Sequence, residues 1–182
     1  MSLIPPARLD ALAALRQSDP AVRAGWRAFD ARMRQASGPG LADLERRRGA
    51  WLAAHTRKPG YTYPNFLRRI AEDSARLAFH FRMTGAEASR QGAVTLLGWV
   101  MEFSPWNAQA PRNGWRSDLW TADYAASVGL ALDQLGDALD APARTAWLTI
   151  LLERGVRPVW EEWLDPARRI HALDSMGHNW WS

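Results

Sequence analysis

The sequence contains no cysteine, which excludes disulfides and thiolate metal sites. Lys58 is its only lysine, so nearly all of the 23 basic residues are arginine. No apolar run is long enough to span a bilayer, and no stretch alternates apolar and polar residues as a strand would. The first residues, MSLIPPARLD, lack a basic segment followed by an apolar one, so no signal peptide is visible. A cytoplasmic location is expected, or a periplasmic one if a leader has been removed. His55, His80 and His171 form no ligand spacing with one another, and none has an acid at i+4 as in a zinc-binding helix, so neither a metal nor another cofactor is expected. Arg46-Arg47-Arg48 reads as a solvated helix face, and no nucleic-acid-binding module accompanies it. Nucleic acid and membrane are therefore not expected partners.

What is present points to one globular domain. The chain has 182 residues, 47% of them hydrophobic, enough for a sizeable core. The formal net charge of +4 is compatible with a polyanionic partner. Eleven tryptophans exceed what burial alone asks of a chain this long, and the surplus suggests a cleft lined by flat aromatic faces.

The stretch from Trp115 to Leu139, WRSDLWTADYAASVGLALDQLGDAL, organises the rest. Ala125, Val128, Leu132, Leu135 and Leu139 recur at helical spacing, and Leu119, Ala122, Ala126 and Leu130 form a second row. Between Leu119 and Leu132 the only charged side chain is Asp123. A helix so apolar around its girth predicts a central element surrounded by others. Its small residues, Ala122, Ala125, Ala126, Ser127 and Gly129, invite close neighbours.

The rest of the chain reads as further helices. The first spans about Ala7–Arg16, with Leu9, Leu12 and Leu15 inward. Asp19-Pro20 starts the second, whose face is Val22, Trp26, Phe29 and Met33. Gly38-Pro39-Gly40 ends it. The others cover about Leu41–His55, Asn65–Met83 and Ala86–Phe103. Asp140 caps the helix after the central one, Gly155 is read as its C-terminal glycine, and Pro158 opens a short further helix. The expected fold is all-α, about seven antiparallel helices joined mostly by short loops.

Three segments carry a family resemblance. LAFHFRMTGAEAS (77–89), DLWTADYAASVGLALDQLGDALDAPARTAWLTILLERGVRPVWEEW (118–163) and the terminal GHNWWS (177–182) together resemble the heparinase II/III-like and oligoalginate-lyase group of polysaccharide lyases. The likeness covers roughly the last hundred residues. The group often has Asn where His178 and Trp181 stand here. The resemblance implies an incomplete (α/α) toroid. It also implies that this chain is the N-terminal portion of a larger lyase, whose later toroid helices and β-sandwich lie beyond Ser182.

The implied reaction is β-elimination on a uronic-acid-containing polysaccharide. The substrate carboxylate must be neutralised, a base must take the C5 proton, and an acid must protonate the leaving oxygen. Most of the group's His and Tyr residues for these steps belong to later helices, so the fragment alone is expected to be inactive. His178 is the local candidate for neutraliser or acid. Asn179, Trp180, Trp115, Asp123 and Tyr124 are candidate substrate contacts, and Tyr61, Tyr63, Asn65, Trp106 and Asn107 candidate rim residues. The expected partner is an anionic, uronate-containing poly- or oligosaccharide, with self-association through uncovered helix faces. The alternative is a non-catalytic all-helical module that binds carbohydrate or protein.

Overall fold

The computed structural model describes residues 2–57, 62–107 and 116–167, leaving aside the side chains of 50–57 and 62–64. The elements are α1 (Pro6–Ser18), α2 (Pro20–Ser37), α3 (Pro39–Arg57), α4 (Thr62–Thr84), α5 (Glu87–Glu102), α6 (Leu119–Leu135) and α7 (Ala141–Ile150). A single 3₁₀ turn, Gly136–Ala138, follows α6. The chain then runs without a break from α7 to Leu164, through wider turns at Leu151–Val156 and Trp160–Leu164. No strand occurs among the described residues, and none of their helices is long and apolar enough to cross a membrane.

Three of the helix starts follow from side-chain caps. The Asp19 carboxylate accepts from the amides of Ala21 and Val22 at 2.7 and 3.1 Å. Asp140 accepts from Ala143 N at 2.9 Å. At α6, Asp118 accepts from Thr121 N at 2.9 Å while Thr121 Oγ1 accepts from Asp118 N at 3.1 Å. Each such cap contributes about 1 kcal/mol by satisfying an otherwise orphaned amide. Between α4 and α5 the chain reverses at Gly85, whose φ of +70° is readily adopted only by glycine.

Packing centres on α4, which lies against α2, α5 and α6. Leu67, Ile70 and Leu77 of α4, Leu96, Leu97 and Val100 of α5, and Tyr124, Val128 and Leu132 of α6 form the core, joined by Met33 of α2. Each large aliphatic buried this way contributes roughly 1.5–3 kcal/mol.

Five sequence expectations change here. The long helix α6 shares the core with α4 and α5 and is not enclosed all round, because Ala126 and Leu130 of its second row face solvent. It also stops at Leu135, four residues short of Leu139. Leu15 is exposed, and α1 buries no side chain. Gly155 does not end a helix, and Pro158 does not begin one after a break: both lie within the continuous run from Ala141 to Leu164. Proline removes one amide from the ladder and crowds the preceding turn, and the wider turn ending at Val156 relieves that crowding.

Gly155 is there for contact. A Cβ built on it would lie 2.9 Å from Ala125 Cβ and 2.9 Å from Trp106 Cζ3. At Gly129, by contrast, a Cβ would meet Leu151 Cδ2 at an ordinary 3.9 Å. The same substitution should therefore act with opposite sign at the two sites. Gly129→Ala is expected to stabilise by up to about 1 kcal/mol through helix propensity. Gly155→Ala is expected to destabilise by roughly 1–3 kcal/mol through overpacking, even against that gain. Urea denaturation of both variants checks this, and an unchanged or raised midpoint for Gly155→Ala would contradict it.

Candidate functional site

The N-terminal end of α6 is built from three stretches of chain. Trp106 is wholly buried and meets Tyr124 edge-on, with ring centroids 6.4 Å apart at 88°. The Thr121 hydroxyl lies 3.1 Å from the Trp106 carbonyl. Asn107, also wholly buried, donates from Nδ2 to the Ser117 carbonyl at 3.2 Å. The two flanks of segment 108–115 are thus fastened to each other and to the helix start.

The last turns before Leu164 fix the same flank from outside. The Glu162 carboxylate accepts from Arg116 N, Ser117 N and Ser117 Oγ at 2.7, 2.7 and 2.6 Å. Trp163 Nε1 donates to Ser117 Oγ at 2.7 Å, and the Arg116 guanidinium pairs with Glu161 at 2.5 Å. One turn back from Pro158, Arg154 donates to the Met101 and Phe103 carbonyls at 2.8 and 2.6 Å. A cation there satisfies carbonyls that the end of α5 leaves open.

The candidate contacts separate in space. Tyr124 is wholly buried and offers no surface to a ligand in this arrangement. Asp123, its neighbour, is half-exposed, with Oδ2 3.3 Å from Arg68 Nε. Arg68 also pairs with Glu72 at 2.9 Å and lies 5.4 Å over the Trp120 ring. An accessible patch of arginine, carboxylate and indole results on the α4–α6 surface. Trp106 and Asn107 belong to the interior and do not form a rim, whereas Asn65 is exposed. Trp115, Tyr61, the side chain of Tyr63, His178, Asn179 and Trp180 lie outside the described residues. Among the described residues no group of three or more His, Asp or Glu is placed to hold a metal ion.

One cluster escaped sequence reasoning. His80 of α4 is buried, with Nδ1 2.8 Å from Ser89 Oγ of α5 and Nε2 2.9 Å from Asp30 Oδ1 of α2. An ionised carboxylate only accepts, so Nε2 carries a proton and donates to Asp30, and Nδ1 shares a hydrogen bond with the Ser89 hydroxyl. Trp26 stacks on the imidazole at 6.1 Å and 13°, and Arg16 lies 3.8 Å over Trp26. These groups line a cleft of about 540 Å³ together with Arg34. The serine and acid meet the opposite ring nitrogens from those used in a serine-hydrolase triad, and Ser89 is itself buried. The arrangement ties three helices together and does not present a nucleophile. The available signal was a histidine on the α4 face that carries Leu77, one turn before Thr84. Its partners come from other helices and are invisible to spacing.

The hydrogen bond from His80, helped by those from Arg34, holds the Asp30 carboxyl below its ordinary value against the opposing effect of burial. The charged form is therefore favoured on folding. Its contribution is complete above the unfolded carboxylate value of about 4, and is lost as pH falls through the lowered folded value.

Compared with protein families, with curated proteins and with solved structures, the chain matches none.

Two outcomes follow from this geometry. The stability difference between wild type and Asp30→Asn should be full at neutral pH and shrink as pH falls below about 4; a constant difference in chemical denaturation from neutral pH to acid would contradict the pairing. Ser117→Ala should cost about 1–3 kcal/mol, since it removes a partner from both the Trp163 indole and the Glu162 carboxylate. A denaturation midpoint equal to wild type would show that the contacts are dispensable.

Proposed function

We propose that this chain is the N-terminal helical portion of an (α/α)-toroid polysaccharide lyase that acts on uronic-acid-containing polysaccharide by β-elimination. The reading rests first on the order of the three segments that resemble that group. The structural observation that carries it furthest is a repeated helix pair. The central helices α4 and α6 lie side by side, and each is followed by a helix that packs back on it: α5 on α4, and the run after α7 on α6. A toroid is assembled by repeating such pairs around a ring. The boundary between the α4 and α5 halves of LAFHFRMTGAEAS falls at Gly85, where the chain turns.

On this reading the substrate approaches the N-terminal end of α6. The patch of Arg68, Asp123 and Trp120 supplies a cation for a uronate carboxylate and an indole face for a sugar ring. His178, Asn179 and Trp180 supply a neutralising charge, a donor and acceptor, and a second stacking face. Proton abstraction is assigned to residues outside this set, and His178 is the one local candidate for the acid as well as for the neutraliser, so the chain is expected to bind without turning over.

The test is a titration of tryptophan fluorescence with uronate oligosaccharides at low and high salt. Weak binding is expected, weaker still in high salt because the attraction is between charges. Asn179→Ala, Trp180→Ala and Arg68→Ala should each reduce it several-fold, and no unsaturated uronate should appear in the ultraviolet. Binding that all three substitutions leave unchanged would place the site elsewhere. Robust product formation would show that the catalytic groups are in this chain after all.

A further inference from the structure

A pocket of about 210 Å³ opens near the C-terminal end of α6, between α2, α4 and the residues that precede α1. Its wall is mostly hydrocarbon, from Ile4, Phe29, Ala75, Phe79 and Leu130. Phe29 and Phe79 meet with ring centroids 6.0 Å apart at 59°. The exception is Gln134, at 2% exposed the one buried residue of the lining. Its Nε2 donates to Asp133 Oδ2 at 2.7 Å. A carboxylate only accepts, so this contact settles which end of the amide is nitrogen. The other end, Oε1, is buried and accepts no hydrogen bond among the described residues. Leaving a buried acceptor open is costly, and an aliphatic residue of similar size would fill the position without that cost.

We propose that this pocket binds a small neutral phenol, one aromatic ring whose hydroxyl donates to Gln134 Oε1. An apolar cavity of about 150 Å³ accepts benzene, so 210 Å³ leaves room for a ring and a short substituent. The tilted Phe29–Phe79 pair offers a third ring both an edge and a face. The terminal torsion of glutamine is soft, so Oε1 can turn to meet an incoming hydroxyl. The charged groups nearby are already paired, which selects a neutral occupant. Arg76, which completes the lining, is held by Glu72 and Asp73, each at 2.9 Å. Asp133 accepts from Ser2 Oγ and Leu3 N, both at 2.9 Å, as well as from Gln134. Those bonds strap the residues before α1 onto α6 and set Ile4 in the pocket wall. The site lies toward the opposite end of α6 from Asp123, and the inference uses neither the lyase resemblance nor the proposed sugar contacts.

The test is an NMR titration of the isotope-labelled chain with phenol, anisole and toluene. All three carry one ring of similar size, and only phenol has a donor. Anisole and toluene are the more hydrophobic, so burial alone would make them the tighter ligands. Phenol should shift the methyl resonances of Ile4 and Leu130 and the side-chain amide of Gln134. Its dissociation constant should lie at least fivefold below those of anisole and toluene. Gln134→Leu exchanges an open polar group for an apolar one, and should reverse that order. Ala75→Leu fills the pocket and should weaken all three. Circular dichroism checks that both variants keep their helix content, and the comparison of ligands on the wild type needs neither variant. Phenol that leaves those resonances unmoved overturns the proposal. So does phenol that binds no tighter than toluene, the result expected if water satisfies Oε1. A preference for phenol that survives in Gln134→Leu, or binding indifferent to Ala75→Leu, overturns it equally.

Discussion

The α6 end of the molecule depends on how closely the last helix can approach at Gly155. With no side chain there, its backbone comes within reach of Ala125 and the face of Trp106. That approach places Arg154 at the open carbonyls of Met101 and Phe103. Two turns later it places Glu162 and Trp163 against Ser117. A larger residue at 155 would push the helix away and lengthen every one of these hydrogen bonds together. The wider turns on both sides of Pro158 serve the same contact, because they let the run pass a proline without turning its buried side outward.

Two polar networks are built into an otherwise apolar bundle, and both join elements far apart in sequence. Glu162 gathers donors from Arg116 and Ser117, and so ties the entry to α6 to the far end of the chain. His80 links α2, α4 and α5 through Asp30 and Ser89. Buried polar groups raise stability only when satisfied, so each network also fixes which arrangement of helices is acceptable. The first surrounds the region proposed to meet substrate. The second fixes α2 on the opposite flank, where the α1–α2 pair contributes little apolar burial of its own.

The helices were legible because their cause is local. The Asp19, Asp118 and Asp140 starts, the Thr84-Gly85 turn and the Val22–Met33 stripe each depend on residues within one or two turns. Ala125 was legible as a small residue inviting a close neighbour, though not which neighbour. Gly155 and Pro158 were misread because glycine and proline usually punctuate helices, and the tertiary contact that overrides this rule comes from Trp106, roughly fifty residues earlier. Leu130 and Ala126 were misread because an apolar girth says how much can be buried, not how many neighbours exist. Of the candidate site, spacing identified Asp123 as the polar exception on α6 but could not find Arg68, which reaches it from α4. The separation of Asp123 from Tyr124 follows from their adjacency, since neighbours on a helix point about 100° apart.

The central claim is that the entry to α6 is a rigid mount held from both sides, not a loose connection. Native-state hydrogen exchange at the amides of Ser117 and Thr121 tests it most directly. Both are protected by carboxylates, Glu162 and Asp118 respectively, and both residues are buried. They should exchange only by global unfolding, at rates that match the core amides of α4 and fall together when Gly155 is enlarged. Exchange of either amide at the rate of an exposed connection, with the α4 core still protected, would contradict the account.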